Sequence, residues 1–93
     1  MYERILQRMR QKVRALDYVV TAHAEEEMSD DELTILDVEH AILNGRILER
    51  QRDVETGGWK YVVGGRILID DAIELVGRLS VSGKLAIVTV YRA

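Results

Sequence analysis

The sequence predicts an α+β domain in which an N-terminal helix, a short strand and two short helices precede a four-stranded antiparallel sheet. Three observations predict it. Apolar residues recur at helical spacing in the first half, the period changes to two from residue 46 onward, and glycine-containing turns divide that second half into separate runs. With 93 residues, 47% hydrophobic and 31% charged, the chain can bury one core and not two, so residues 1–93 are expected to form a single domain.

The first helix is read from Tyr2, Ile5, Leu6, Met9, Val13 and Leu16, which fall on one side, while Arg4, Arg8, Arg10, Lys12 and Arg14 take the other directions. Asp17 breaks that pattern. Tyr18 to Thr21 is β-branched and aromatic and reads as a strand, with His23 at the junction to a helical segment, Ala24 to Met28. Ser29 to Glu32 is a polar turn. Thr34 and Asp37 then have capping-box spacing, Val38, Ala41 and Ile42 share a face, and Gly45 is expected to end the helix in the left-handed conformation.

The strands are predicted at 46–55, 59–69, 74–81 and 84–92. Ser82-Gly83 predicts a two-residue hairpin turn, with Val81 facing Lys84, Leu79 facing Ala86, Arg78 facing Ile87, Gly77 facing Val88, Val76 facing Thr89 and Glu74 facing Tyr91. That register places Leu75, Leu79, Val81, Ala86, Val88 and Val90 toward the helices. It leaves Glu74, Val76, Arg78, Ser80, Leu85, Ile87, Thr89 and Tyr91 on the less apolar face. A second turn at Thr56-Gly57 sets Val54 against Trp59, Asp53 against Lys60, Arg52 against Tyr61 and Arg50 against Val63. Gly64-Gly65 and Asp70-Asp71 call for a bulge, bend or loop in the third strand.

Composition narrows the function classes. There are no cysteines and only two histidines, which excludes disulfides, thiolate metal sites and a cysteine nucleophile, and no metal or other cofactor is expected. No window approaches the roughly 20 apolar residues of a membrane helix or the apolar core of a signal peptide, so a cytoplasmic protein with no membrane partner is expected. The net charge of -3 conceals three blocks: five basic against two acidic residues in 1–22, eight acidic and no basic in 23–45, and eight basic against six acidic in 46–93. A chain this small gains from a partner, so homo-oligomerisation is a further expectation.

Together, His23-Ala24, Met28, Asp37-Val38, Ala41 to Gly45 (AILNG), Lys60-Tyr61, Gly83-Lys84 and Thr89 to Arg92 (TVYR) resemble domain of unknown function 4258 over residues 18–92. That family is similar to the RelE/ParE and BrnT group of small bacterial toxins, many of which cleave messenger RNA and are held inactive by an antitoxin. Some family members are similar to proteins encoded beside a small zinc-finger antitoxin-like protein. The resemblance implies a RelE-like fold, an endoribonuclease acting on mRNA and an antitoxin-like partner. It also marks a departure: relatives often carry arginine at the positions of Glu27 and Asp31, which weakens the ribonuclease expectation.

Metal-independent RNA cleavage needs a base for the 2′-hydroxyl, cations for the phosphorane-like charge and an acid for the leaving oxygen. His23, Arg78, Tyr91 and Arg92 have the residue types for these roles, provided that the sheet curls toward His23. The structural alternative has His23 bonding backbone at the strand-to-helix corner and Tyr91 packing in a secondary core. Arg50, Arg52, Trp59 and Tyr61 form an expected RNA-binding surface of guanidinium forks and π-faces, or else ordinary cross-strand packing of arginine stems on rings. Glu25, Glu26, Glu27, Asp30, Asp31 and Glu32 repel RNA or dock a basic partner. Asp70-Asp71 point to opposite faces, Gly57-Gly58 and Gly64-Gly65 lack the helix and lysine of a phosphate loop, and His40 is a surface residue. The competing reading is a non-catalytic protein-binding module of the same fold.

Overall fold

The computed structural model describes all residues, 1–93. Helix α1 (Glu3–Arg14) precedes β1 (Tyr18–Val20), α2 (Ala22–Asp30) and α3 (Ile35–Asn44), and the chain then runs through β2 (Arg46–Arg52), β3 (Trp59–Arg66), β4 (Ala72–Leu79) and β5 (Leu85–Arg92). The α+β class holds, and the short strand joins the sheet. β1 pairs in parallel with β5, giving five strands in the order β1-β5-β4-β3-β2 with every other pairing antiparallel. The helices share one face, where Met9 and Val13, Ala24 and Met28, and Val38, Ala41 and Ile42 close over Val63, Leu75, Leu85, Ile87 and Val90.

Local signals explain the helix boundaries. Both α1 and α2 end in Schellman geometry. Leu16 N–H donates to the Val13 carbonyl and Asp17 N–H to that of Lys12, while Glu32 N–H donates to Ser29 and Leu33 N–H to Met28. The left-handed position is held by Leu16 (φ 55°) and Glu32 (φ 56°) and not by glycine. Thr21 caps α2, and its Oγ1 accepts from Ala24 N–H at 3.1 Å while donating to the Val88 carbonyl at 3.0 Å. The capping box of α3 forms as read, with Asp37 Oδ2 accepting from Thr34 N–H at 3.0 Å and Thr34 Oγ1 accepting from Asp37 N–H at 3.2 Å. Gly45 departs from expectation, since its φ of -90° is not left-handed. Proximity explains the glycine: a Cβ there would lie 2.3 Å from the Gly64 carbonyl oxygen and 2.4 Å from that of Ala41.

The hairpins depart further. The expected two-residue turn at Ser82-Gly83 is a three-residue loop, closed by Gly83 N–H to the Ser80 carbonyl and Ser80 N–H to the Lys84 carbonyl, with Gly83 at φ 90°. Leu79 therefore faces Leu85, Arg78 faces Ala86 and Gly77 faces Ile87, until one extra residue at Val88 restores the expected pairs Val76–Thr89 and Glu74–Tyr91. The loop and the bulge each shift the register by one, in compensating directions. Burial decides between this pairing and the uninterrupted one. The bulge turns Leu85 and Ile87 into the core in place of Ala86 and Val88, a gain of about four carbons or roughly 3 kcal/mol, against about 1 kcal/mol for a ladder bond.

The first hairpin is likewise looser than predicted. β2 ends at Arg52, residues 53–58 form the connection, and the register moves by two, so that Arg50 faces Tyr61 and Arg52 faces Trp59. An even shift keeps these four side chains on one face. β3 stops at Arg66, and a loop over 67–71, closed by Ile67 N–H to the Asp71 carbonyl, replaces the expected continuation to residue 69. No helix is long and apolar enough to cross a membrane.

Candidate functional site

The polar groups with chemical potential lie along β5 and on the sheet face that the helices leave uncovered. β1 ends at Val20, opposite Ile87, so the remainder of β5 has β4 on one side and no strand on the other. Glu27 fills the gap. Its Oε1 accepts from Val90 N–H at 3.0 Å and from the Thr89 hydroxyl, and it lies 3.4 Å from His23 Nε2, one helical turn earlier on α2. The His23 side chain is 68% exposed and flanks the sheet edge.

On the uncovered face, Tyr91 donates to Glu74 Oε1 at 2.8 Å. The hydrogen bond to Glu74, burial and the negative charges of Glu74, Glu49 and Glu27 hold the phenol above its usual pKa. Arg78 points the same way and pairs through Nη1 with Asp53 Oδ2 at 3.2 Å. Asp53 is only 2% exposed and anchors the 53–58 connection. It accepts from the Thr56 hydroxyl at 2.8 Å and from Glu55 N–H at 3.2 Å. Those hydrogen bonds, Thr56 foremost, together with the charges of Arg78 and Lys60, outweigh burial and hold its carboxyl below the usual range. Arg78 stands four positions from Glu74 along β4, about 13 Å from the level of Tyr91.

Arg92 faces the other way. It sits opposite the core residue Ile73, donates through Nη2 to the Asp31 carbonyl at the end of α2 (2.9 Å) and pairs with Asp71 at 3.2 Å. His23, Arg78, Tyr91 and Arg92 thus do not converge as the cleavage expectation requires. Each is held by a carboxylate of its own: Glu27, Asp53, Glu74 and Asp71 respectively. The sheet presents Arg78 and Tyr91 on one face, but it does not curl enough to bring them to one point, and the alternation of β5 sends Arg92 to the opposite side of Tyr91.

Arg50, Arg52 and Trp59 come together, with the guanidinium carbons 4.0 and 4.3 Å from the centroid of the indole. Tyr61 does not join them as an open surface. It is 8% exposed and packs edge-on against Tyr2, with ring centroids 6.0 Å apart, so its π-face is unavailable to a base. Trp59 and Arg78 line one cavity of about 500 Å³ at the end of the sheet. Two others, of about 360 and 450 Å³, contain none of the expected catalytic residues.

Sequence reasoning missed the anchoring roles of Glu27 and Asp53, and set Glu74 opposite Tyr91 without giving it a role. Glu27 was legible as an i+4 partner of His23, and Asp53 as the head of an Asp-x-x-Thr-Gly turn whose carboxylate accepts from the residues that follow.

Residues 20–92 match the family model described as "Domain of unknown function (DUF4258)". The chain belongs to the DUF4258 family. The DUF4258 span begins at the last residue of β1 and ends with β5, so α1, which supplies Met9 and Val13 to the core, lies outside it. No curated protein and no solved structure matches the chain.

Proposed function

We propose that this DUF4258 domain is a non-catalytic binding module of toxin-like fold, which assembles with an antitoxin-like protein or with a second copy of itself. The observation that carries this reading is the set of four carboxylates that occupy His23, Arg78, Tyr91 and Arg92. A phosphodiester is an anion. To reach these groups it would have to displace carboxylates that the fold has already placed there, and the groups themselves sit on different faces or some 13 Å apart. Cleavage of mRNA is the competing reading, the one that the resemblance expected from the sequence, to the RelE/ParE and BrnT group, would favour.

Charge separation supports assembly. Glu25, Glu26, Asp30 and Glu32 are exposed along α2 and its end, and none forms an ion pair. Arg4, Arg8 and Arg14 are exposed on α1, equally unpaired. Unpaired charge of opposite sign on two helices of a small domain steers association with a complementary surface.

Expression in a bacterial host, with transcript ends mapped genome-wide, tests the reading. The expected result is no new 5′ ends, alongside stable association of the purified chain with the product of a neighbouring reading frame or with itself. New transcript ends that vanish in His23→Ala or Tyr91→Phe would overturn it.

A further inference from the structure

β2 is the last strand of the sheet, so one of its edges pairs with β3 and the other meets no strand. The opposite end of the sheet is closed differently, by the short β1 and by Glu27. Asp53 N–H donates to the Gly58 carbonyl across the first hairpin, and the direction of the backbone groups alternates along an antiparallel strand. Glu49 and Gln51 therefore bond toward β3, while the N–H and C=O of Arg50 and Arg52 point outward, where there is no strand to receive them. The bulge between Ile47 and Glu49 ends this straight run.

The side chains along that edge carry one predominant sign. Arg46, Arg50 and Arg52 are exposed and form no ion pair, and Glu49 is the one acidic residue of β2. Arg50 and Arg52 share the face of Trp59; Glu49 and Gln51 share the other, where Gln51 Nε2 donates to Glu49 Oε1 at 3.0 Å. Both guanidiniums rest on the indole, 4.0 and 4.3 Å from its centroid, and Arg52 Nη1 donates to the Gly57 carbonyl at 3.0 Å. Stacking holds the two charges beside the open backbone and occupies the ring that a nucleobase would need.

Given the binding-module reading, on which this inference rests, the geometry points to strand addition: the outer edge of β2 takes an extended acidic segment of a partner protein, with carboxylates at alternate positions set against Arg50 and Arg52. An open edge supplies the main-chain hydrogen bonds, and cross-strand charge supplies the choice of partner. A second copy of this strand is a poor occupant. Antiparallel pairing of two copies about a two-fold axis keeps each face on its own side, so Arg50 and Arg52 would meet Arg50 and Arg52. The same cations that deter self-pairing attract an acidic strand.

The probe is a dye-labelled Thr-Glu-Thr-Glu-Thr-Glu-Thr peptide, read by fluorescence anisotropy against the intact protein. Its counterpart with Gln for Glu and a single-stranded oligoadenylate of about seven residues are the comparisons. The acidic peptide is expected to saturate below about 1 mM, and the Gln peptide to bind at least about ten-fold more weakly. The double variant Arg50→Gln, Arg52→Gln, at two exposed positions, should lose about ten-fold in affinity for the acidic peptide. Amide exchange separates strand addition from bare charge attraction: bound peptide should slow exchange at Arg50 and Arg52 and leave Gln51, already bonded to β3, unchanged. The inference is overturned by no saturable binding below about 1 mM, equal affinity for the Gln peptide, an unchanged affinity in the double variant, no slowing at Arg50 and Arg52, or tighter binding of the oligoadenylate. Should one of these occur while the product of a neighbouring reading frame still associates, the binding-module reading stands and its docking surface lies elsewhere; loss of that association as well overturns both.

Discussion

Replacing Glu27 by alanine removes the acceptor that closes the lower half of β5, and the cost follows from what is left behind. Val90 N–H loses its acceptor beside a residue with 0% exposure, and no neighbouring strand can supply another. An unsatisfied buried N–H costs about 1–3 kcal/mol, whereas the Thr89 hydroxyl can rotate to water and loses about 1 kcal/mol or less. The expected loss is about 2–4 kcal/mol, a large part of the 5–15 kcal/mol typical of a whole domain. Urea denaturation should show a lower midpoint at unchanged slope, and the Val90 amide should exchange faster than its neighbours on β4. Glu27→Gln, which keeps an acceptor oxygen, should lose about half as much. A Glu27→Ala midpoint within about 0.5 kcal/mol of the parent, with Val90 still protected, would refute the claim that this carboxylate replaces a missing strand.

Three further outcomes are expected. Leu16→Gly and Glu32→Gly should each stabilise the domain by roughly 0.5–1 kcal/mol in chemical denaturation, because both residues sit at φ near 55° in a position that glycine fills without strain. Gly65→Ala should destabilise by about 3 kcal/mol or more, since its Cβ would lie 2.3 Å from the Ala41 carbonyl oxygen, and thermal melting reads the loss. Burial, with the hydrogen bond and charge of Glu39, pushes the Tyr18 phenol up to about 12. The folded state therefore keeps a proton that the unfolded chain releases near pH 10, so stability is complete below that pH and declines from about pH 10 to 12, as pH-dependent unfolding and tyrosinate absorbance will show.

The parts of the fold that were legible in the sequence are those set by neighbours in the chain. Thr34 and Asp37 declare the start of α3 because both halves of a capping box lie within one turn. The grouping of Arg50, Arg52 and Trp59 survives a register error because that error is even. The upper half of the last hairpin was not legible for the opposite reason. Ser-Val-Ser-Gly-Lys admits a two- or a three-residue turn, and the choice falls to whether Leu85 and Ile87 or Ala86 and Val88 are buried, a matter of helices packed far away in sequence. The candidate site shows the same limit. Residue type placed His23, Arg78, Tyr91 and Arg92 among groups able to do chemistry, and the hairpin spacing set Glu74 opposite Tyr91, but Asp53, the partner of Arg78, comes from a connection in another hairpin, where spacing carries no signal.

The Asp53–Arg78 ion pair has a mechanical consequence. It ties the start of the 53–58 connection to the end of β4, 25 residues apart in sequence, through a carboxylate that is buried. Without it each hairpin tip would sway on its own; with it the two are yoked at the base by one guanidinium and one buried carboxylate. Acid that neutralises Asp53, which its depressed pKa delays, would loosen both tips together.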